Sequence, residues 1–311
     1  MEEHKQRRRR RLCVCTRIHQ NNADRPVDLG KVREFLDTVL LYADSVAIAV
    51  GAPPPATTDE AGTIAQQEQP QQPSLLQLIS RTAREAENEK ARPCLKDEAQ
   101  GVEQGEEGRD EERVEAVVSV FEVTPWGKFT PALNALVGFA ARDGAELVMF
   151  QSLETTVGKD TVSSMEAQME MEDLVVGAAL TGHAFQAGQT VELTGVTTPW
   201  NTLALWDVTK LAKSGFLGVA EGLLPGVPAG VEEVTAIAAL QVLLGPDNAR
   251  AKLVRLPQAR SLACMVRWQT AWEDEGRRQW HESKMSSKLE RADKQMMALG
   301  IKKGTVAHLE S

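Results

Sequence analysis

The feature that most constrains the fold of this chain is a regular alternation between short, continuously apolar runs and amphipathic segments. "RLCVCTRI" (11–18) and "SVAIAVG" (45–51) are apolar runs that predict buried strands. Between them, apolar residues recur at helical spacing from Val32 to Leu40, which predicts a helix with Asp28 as its N-cap. A strand, a helix and a second strand in succession predict a parallel pair of strands.

The same alternation resumes near residue 114. Further strands are predicted at 114–123, 145–150, 173–180 and 251–257. The segments between them predict helices, among them "GVEEVTAIAALQVLLG" (230–245). We therefore expect an α/β fold with a mostly parallel sheet. Ligands in such folds bind beyond the carboxyl ends of the strands, so polar residues that follow a strand are the candidates for function.

Composition divides the chain into parts. Residues 1–10 are expected to form a basic N-terminal tail, and 11–258 one folded domain. At about 52–113 the domain is interrupted by a segment rich in Pro, Gln, Glu and Gly. This segment cannot bury enough apolar surface to offset the entropy of ordering, so it predicts a flexible insertion that carries one short helix. Residues 259–311 predict a charged, helical C-terminal tail.

Charge limits the classes of partner. The net charge of −9 argues against a general nucleic-acid binder, because such proteins present a basic surface. The one local exception is "KQRRRRRL" (5–12). It predicts a solvated charge run beside the first strand, and a nuclear-import or anionic-surface patch is the alternative.

The cysteines and the hydropathy pattern indicate the compartment. The four cysteines are Cys13, Cys15, Cys94 and Cys264, and they include no metal-type Cys-x-x-Cys pair. We expect reduced thiols, with the first two on one face of a strand. No apolar run approaches the roughly 18 residues that span a bilayer, and the N-terminus lacks the apolar region of a signal peptide. The sequence therefore predicts a cytoplasmic protein without a membrane span.

Two stretches could meet a charged ligand. In "PWGKFTPALN" (125–134), a Gly-Lys step between a strand and a helix can place a cation and backbone amides near an anion. A turn glycine with an exposed lysine is the alternative, and it is favoured when the stretch is taken alone. In "FQSLETT" (150–156), Glu154 follows a strand and could bind a divalent cation that neutralises a diphosphate. An exposed loop glutamate is the alternative there.

A third stretch offers an acid–base group. In "GVEEV" (230–234), the adjacent carboxylates Glu232 and Glu233 begin a helix. The helix dipole alone explains acidic residues at that position, and a general base at the mouth of a site is the functional interpretation. His183, in "TGHAF" after a strand, lies on the functional side, although a histidine that only bonds its own loop is the alternative. No nucleophile elbow, zinc-protease helix or Walker phosphate loop is present.

In order and spacing, these stretches resemble the nucleotide-diphospho-sugar transferases, specifically the family 2-like glycosyltransferases of the GT-A fold. "WGKFTPALNALVGFA" stands before "ELVMFQSLET", and "PWNTLALWDVTKLAKSGFL" before "GVEEVTAIAAL", as the matching segments do in that family. The resemblance covers roughly residues 12–257, apart from the insertion. It implies a GT-A-like three-layer sandwich with a mostly parallel central sheet. It also implies transfer of a sugar from a nucleotide-diphosphate donor to an acceptor hydroxyl, on a carbohydrate or other molecule.

The resemblance also implies roles for particular residues. Lys128 and Asn134 fall in the segment that flanks the nucleotide. Ser152 and Glu154 stand where an Asp-x-Asp pair holds Mg²⁺ or Mn²⁺ on the donor diphosphate. Glu233 stands where the family's aspartate deprotonates the acceptor, which suits an inverting reaction.

The neighbours of that base are implied as well. Glu232 lies beside Glu233 in the sequence, and Trp200 and Asn201 are placed on the acceptor side, with His183 nearby. An aromatic face suits contact with a sugar ring.

The chain departs from the family pattern at two places. Ser152 replaces the first metal-binding aspartate, and the carboxylate that usually follows the second strand is absent, since "SVAIAVGA" ends in Gly-Ala-Pro. The sequence therefore fits a transferase with an altered metal site or a catalytically degenerate binding or scaffold protein. A nucleotidyltransferase is a weaker alternative, because "TRIHQNNADRP" has no Gly-rich run.

Overall fold

The structure is a computed structural model. It describes residues 8–20, 26–51, 73–91, 116–256, 266–268, 275, 276, 279, 283 and 287–311. Within this described part of the chain, no helix is both long enough and apolar enough to cross a bilayer.

The described chain forms eleven strands and seven α-helices. The strands are β1 (Leu12–His19), β2 (Ser45–Gly51), β3 (Val117–Val123), β4 (Leu147–Gln151), β5 (Thr155–Val157), β6 (Asp173–Ala178), β7 (Thr190–Glu192), β8 (Leu203–Asp207), β9 (Arg250–Arg255), β10 (Val266–Trp268) and β11 (Thr305–Glu310). The helices are α1 (Leu29–Val39), α2 (Leu75–Lys90), α3 (Thr130–Arg142), α4 (Lys159–Ala167), α5 (Val208–Leu211), α6 (Glu232–Leu244) and α7 (Lys288–Leu299). Single 3-10 turns lie at Gly218–Glu221 and Pro246–Asn248.

Nine strands form one central sheet in the order β3-β2-β1-β4-β8-β6-β9-β11-β7. Only β8 and β7 run against the others, because each pairs antiparallel with its neighbours while the remaining pairs are parallel. The predicted α/β fold with a mostly parallel sheet is confirmed. The other two strands, β5 and β10, form a separate antiparallel pair.

Helices cover both faces of the sheet, which makes a three-layer arrangement. In β1, Leu12 and Val14 pack into the core beneath α1, α2 and α4, while Cys13 and Cys15 pack into the core beneath α3, α5, α6 and α7. This alternation follows from the two-residue period of a strand. The prediction that the two cysteines share a face is confirmed, and Cys94 and Cys264 lie outside the described residues.

The order of the strands fixes where a crevice forms. From β1 the chain moves outward to β2 and β3, and it then returns to place β4 on the opposite side of β1. The carboxyl ends of β1 and β4 are therefore the point where the winding direction changes. Open α/β sheets bind ligands at that point, so the expected site lies between the ends of these two strands.

Helix α2 lies inside the predicted insertion and belongs to the fold. Its 16 residues begin with a capping box between Ser74 and Gln77. Ile79, Ala83 and Ala86 are buried in the same core as α1, so α2 serves as the crossover between β2 and β3. The structure has a helix at this position, as predicted, and it is longer than the short helix that the sequence predicts. The rest of the predicted insertion, 52–72 and 92–113, lies outside the described residues.

The C-terminal segment differs from the expected helical tail. Among the described residues of this segment, α7 is the one long helix, whereas β10 pairs with β5, and β11 enters the central sheet between β9 and β7. In β11, Val306 and His308 alternate inward and are buried. A histidine at an inward position breaks the apolar pattern of a strand, and this explains why the sequence does not predict β11.

The basic N-terminal run contacts the amino end of the sheet. Arg9 Nη1 lies 3.0 Å from Asp44 Oδ1, and Arg11 Nη2 lies 3.0 Å from Asp143 Oδ2. These are contacts of a charge run beside the first strand. Residues 5–7 lie outside the described part.

Candidate functional site

Helices α3 and α6 both begin at the carboxyl edge of the sheet. Helix α3 leads into β4 and α6 leads into β9, and both strands run parallel to β1. These strands start at the amino edge of the sheet, so each helix ends near the amino edge and begins at the carboxyl edge. The amino end of α6 carries Glu232 and Glu233, and the amino end of α3 carries Thr130. The backbone amides of both helix starts therefore point toward the expected crevice.

Glu232 and Glu233 are buried side by side at the start of α6, with 4% and 7% of their surfaces exposed. The backbone N–H of Asn201 donates to Glu233 Oε1 at 2.7 Å. Arg17 Nη2, from the end of β1, lies 3.4 Å from Glu232 Oε1. Burial, followed by the neighbouring charge of Glu232, raises the pKa of Glu233 to about 7. The pair thus places a proton acceptor with a near-neutral pKa at the carboxyl edge of the sheet.

The residue that precedes this pair has a strained backbone. Val231 has φ of 51°, in the left-handed region that β-branched residues rarely adopt. Such strain costs about 1–3 kcal/mol and persists where surrounding contacts impose it. Gln295 of α7 holds the loop just before Val231, since its Nε2 donates to the carbonyl oxygens of Gly230 at 2.7 Å and Pro228 at 2.8 Å. Strain of this kind is concentrated at functional sites.

The amides of the Gly-Lys stretch are occupied by a carboxylate of the same chain. Glu221 accepts hydrogen bonds from the backbone N–H groups of Lys128 at 2.6 Å, Phe129 at 2.7 Å and Thr130. The anion predicted at these amides is therefore the Glu221 side chain, while the side chain of Lys128 is exposed. Asn134 is also engaged, because its side chain forms hydrogen bonds with both the N–H and the carbonyl of Phe216.

Through these hydrogen bonds the Glu221 carboxylate caps the amino end of α3, and a substitution of Glu221 tests the contribution of that cap. Burial raises its pKa, but the three amide hydrogen bonds outweigh burial, and the net pKa is lowered. A lowered carboxyl pKa stabilises the fold above the usual glutamate pKa, and that stability is lost as pH falls through the lowered value. We expect Glu221→Gln to reduce the free energy of unfolding at pH 7 by about 1 kcal/mol, typical of a lost cap. Urea unfolding at pH 7 and pH 3 should show the difference shrinking in acid, and an equal difference at both values would contradict it.

Ser152 and Glu154 lie just past the end of β4. The backbone N–H of Ser152 donates to the carbonyl of Thr202 at 3.0 Å. Thr202 follows Asn201, so Ser152 lies opposite the residue next to Asn201, a shift of ~3.3 Å along the strand direction. Ser152 Oγ accepts from the backbone N–H of Glu154 at 3.3 Å, and Glu154 is half-buried. Across the described residues, no group of three or more His, Cys, Asp or Glu side chains is placed to hold a metal ion.

Trp200 and His183 form a stacked pair, with ring centroids 3.6 Å apart. The ammonium of Lys288, from α7, lies 3.0 Å from the centroid of the Trp200 ring. Trp200 is 3% exposed, so a sugar could contact its ring only if one of these neighbours moved. Burial lowers the pKa of His183 to about 4, and its ring bonds Leu180 and Thr198, as the loop-histidine alternative describes.

The structure brings most of the predicted residues to one edge of the sheet. Ser152 and Glu154 follow β4 there, Asn201 precedes β8, and the glutamate pair begins α6. Three further side chains belong to this edge and were not predicted: Arg17, Glu221 and Lys288. Arg17 could have been found from its place at the end of the first strand. Glu221 and Lys288 could not, because each reaches this edge through contacts between segments that are far apart along the chain.

No family model matches the sequence, and no curated protein matches it. Two solved structures are similar in part. A mycobacterial protein is 11% identical with a TM-score of 0.38, and the alignment covers 82% of this chain and 69% of that one. TarS from S. aureus is 12% identical with a TM-score of 0.35, and the alignment covers 75% of this chain but only 39% of TarS. At TM-scores below 0.5, neither likeness establishes a shared fold or activity.

Proposed function

We propose that this protein is a glycosyltransferase that moves a sugar from a nucleotide-diphosphate donor to an acceptor hydroxyl. The observation that carries the proposal is the buried Glu233 carboxylate at the carboxyl edge of the sheet, with a pKa of about 7. A general base is most effective when its pKa lies near the working pH. The GT-A-like, family 2-like assignment belongs to the same proposal, and the order of the three sequence stretches supports it.

In the proposed reaction, Glu233 takes the proton of the acceptor hydroxyl as the oxygen attacks the anomeric carbon. The bond from that carbon to the diphosphate breaks, and the diphosphate leaves on the opposite face, so the configuration inverts. The N–H of Asn201 donates to the carboxylate and orients it, and Asn201, Trp200 and His183 are proposed to line the acceptor side. Lys128 and Asn134 are proposed to flank the nucleotide.

Glu154 and Ser152 are the proposed ligands of Mg²⁺ or Mn²⁺. Only one of the two is a carboxylate, and the Ser152 hydroxyl is already shared with the Glu154 amide. Mg²⁺ is commonly held by one or two carboxylates together with substrate phosphates. The pair therefore fits a cation that arrives with the donor, and such a cation would neutralise diphosphate charge.

Calorimetry of a nucleoside diphosphate tests this proposal. We expect UDP or GDP to bind more tightly with Mn²⁺ than without it, because the cation links the diphosphate to Glu154. Glu154→Ala should remove about tenfold in affinity with Mn²⁺ present and have little effect in its absence. Glu172→Ala is a matched control, since Glu172 is exposed at the other end of the sheet beside Arg250. Absence of nucleotide binding with either metal would contradict the proposal.

A catalytically degenerate binding or scaffold protein is the second candidate. It is favoured by Ser152 at the position of a metal-binding carboxylate and by Glu221 in the amides that could have met a phosphate. In that case Glu154→Ala would leave every ligand affinity unchanged. The same calorimetry therefore separates the two candidates.

A further inference from the structure

The two buried carboxylates of α6, Glu232 and Glu233, lie near cations from two different elements. Arg17, at the end of β1, contacts Glu232 directly. The other cation is Lys288, the first residue of α7. Its ammonium lies over the ring of Trp200, the residue before Asn201, whose N–H donates to Glu233. Lys288 is far away in the sequence, and it reaches the site only because α7 packs beside α6.

The Lys288 ammonium contacts the face of an aromatic ring. It lies 3.0 Å from the centroid of the Trp200 ring, an arrangement in which the electron-rich face of the ring attracts a cation. The opposite face of that ring stacks on His183, and Trp200 Nε1 donates to the carbonyl of Gly195 at 2.9 Å. A side chain at Gly195 would collide with the main chain of Lys288, so the two backbones are in close contact.

Helix α7 is itself firmly packed. Ala292 and Met296 are buried in the main core, and Gln295 is fully buried with hydrogen bonds to the loop before α6. Lys288 is therefore carried on a well-packed helix, which places its ammonium over Trp200 near the start of α6. Next to it, Trp200 adjoins Asn201, whose N–H holds the Glu233 carboxylate.

We propose that Lys288 is a positioning residue for Glu233: its ammonium, held against Trp200, lets the buried Glu233 carry a negative charge beside Glu232 and so accept a proton from a ligand. The role as a base in sugar transfer rests on the proposed function. The effect of Lys288 on the charge of Glu233 does not.

The charged and titratable groups around Glu233 come from several elements. Glu232 lies on the same helix and opposes the charge of Glu233, and Arg17 of β1 contacts Glu232. Lys288 of α7 favours the charged form of Glu233, as does the N–H of Asn201. His183, behind Trp200, is neutral near pH 7 because burial lowers its pKa to about 4. Arg291, also on α7, donates from Nη1 to the carbonyl of Ala229 in the loop before α6 at 3.4 Å. Removal of Lys288 therefore leaves Arg17, which is engaged by Glu232, and Arg291, which is engaged by that loop.

The test is to titrate Glu233 in the full chain by carbon-13 NMR, with its carboxyl signal assigned by loss in Glu233→Gln. Lys288→Met keeps the aliphatic stem over Trp200 and removes the charge. We expect the Glu233 titration to move upward by about one pH unit, the size of effect of a nearby charge. Lys288→Arg should restore it. Lys294→Met is the matched control, since it removes an exposed lysine of the same helix that pairs only with Glu290 among the contacts described.

A Glu233 titration that is the same in Lys288→Met and the wild type would overturn the proposal. If Lys288→Met does not fold, Lys288→Gln gives the same comparison. Sugar-transfer activity tests the proposed function separately. If Glu233 is the base, the acid limb of the pH profile of kcat should move in Lys288→Met by the same amount as the Glu233 titration. If the titration moves and no donor is ever turned over, the role of Lys288 stands and the glycosyltransferase proposal fails.

Discussion

Glu233→Gln is expected to lower the rate of sugar transfer by about 10²–10⁴-fold, the usual contribution of a general base. Glutamine keeps an oxygen that can accept the Asn201 N–H, so the local geometry is retained while the proton acceptor is lost. The measurement is kcat with a saturating nucleotide sugar. Affinity for the nucleoside diphosphate should change little, because the base acts on the acceptor.

The free energy of unfolding of Glu233→Gln shows whether a loss of activity comes from the missing base or from loss of the fold. The pKa of Glu233 is raised in the folded state, so its contribution to stability is full below the usual glutamate pKa and is lost as pH rises through about 7. Glu233→Gln removes that dependence and should be at least as stable as the wild type at pH 8. Glu232→Gln, which changes the neighbouring carboxylate paired with Arg17, should reduce kcat less. Equal losses in the two variants, or a fully active Glu233→Gln, would contradict the assignment.

Asp173→Ala is expected to reduce the free energy of unfolding by about 3–5 kcal/mol, the usual cost of removing one partner of a buried ion pair. Asp173 begins β6 and is fully buried. Its carboxylate lies 2.7 Å from Lys252 Nζ and 2.9 Å from Arg250 Nε, and it accepts from the backbone N–H of Glu170 at 2.7 Å. Alanine would leave the largely buried Lys252 without its closest partner. Urea unfolding measures the change.

An exposed ion pair on a neighbouring strand is the control for this effect. Arg255 Nη1 and Glu310 Oε1 are 3.0 Å apart, but both side chains are more than half exposed. Such pairs contribute about 0–1 kcal/mol, so Glu310→Ala should have a small effect. An Asp173→Ala variant that loses no more stability than Glu310→Ala would show that the buried cluster contributes little to the fold.

The central strands and their helices could be predicted because their patterns are local. The continuous apolar run that forms β2 is buried along its whole length, and Asp28 caps α1 by accepting from Lys31 N–H, as the sequence predicts. The strands β5, β7 and β10 are three residues long, too short for a periodic signal. The sheet position of β11 depends on pairing with β9, more than fifty residues earlier, and no local pattern encodes that contact.

The site could be predicted only in part, for a related reason. Glu154 and Glu233 are visible because each is a polar residue at the boundary of an apolar element. The cations near the glutamate pair come from elsewhere along the chain: Arg17 of the first strand contacts Glu232, and Lys288 of the last helix lies over Trp200. Sequence spacing also could not show that Glu221 fills the amides of α3, since that contact joins residues 91–93 apart along the chain.

A crystal structure of the full chain with UDP or GDP and Mn²⁺ tests the central claim most directly, namely that the carboxyl edge of the sheet binds the donor and that Glu233 lies beside it as the base for the acceptor. We expect the diphosphate between the ends of β1 and β4, with the metal on Glu154 and an open path from the terminal phosphate, where the donor carries its sugar, to the Glu233 carboxylate. A nucleotide bound elsewhere on the molecule, or Glu154 and Glu233 facing separate surfaces around it, would contradict the claim.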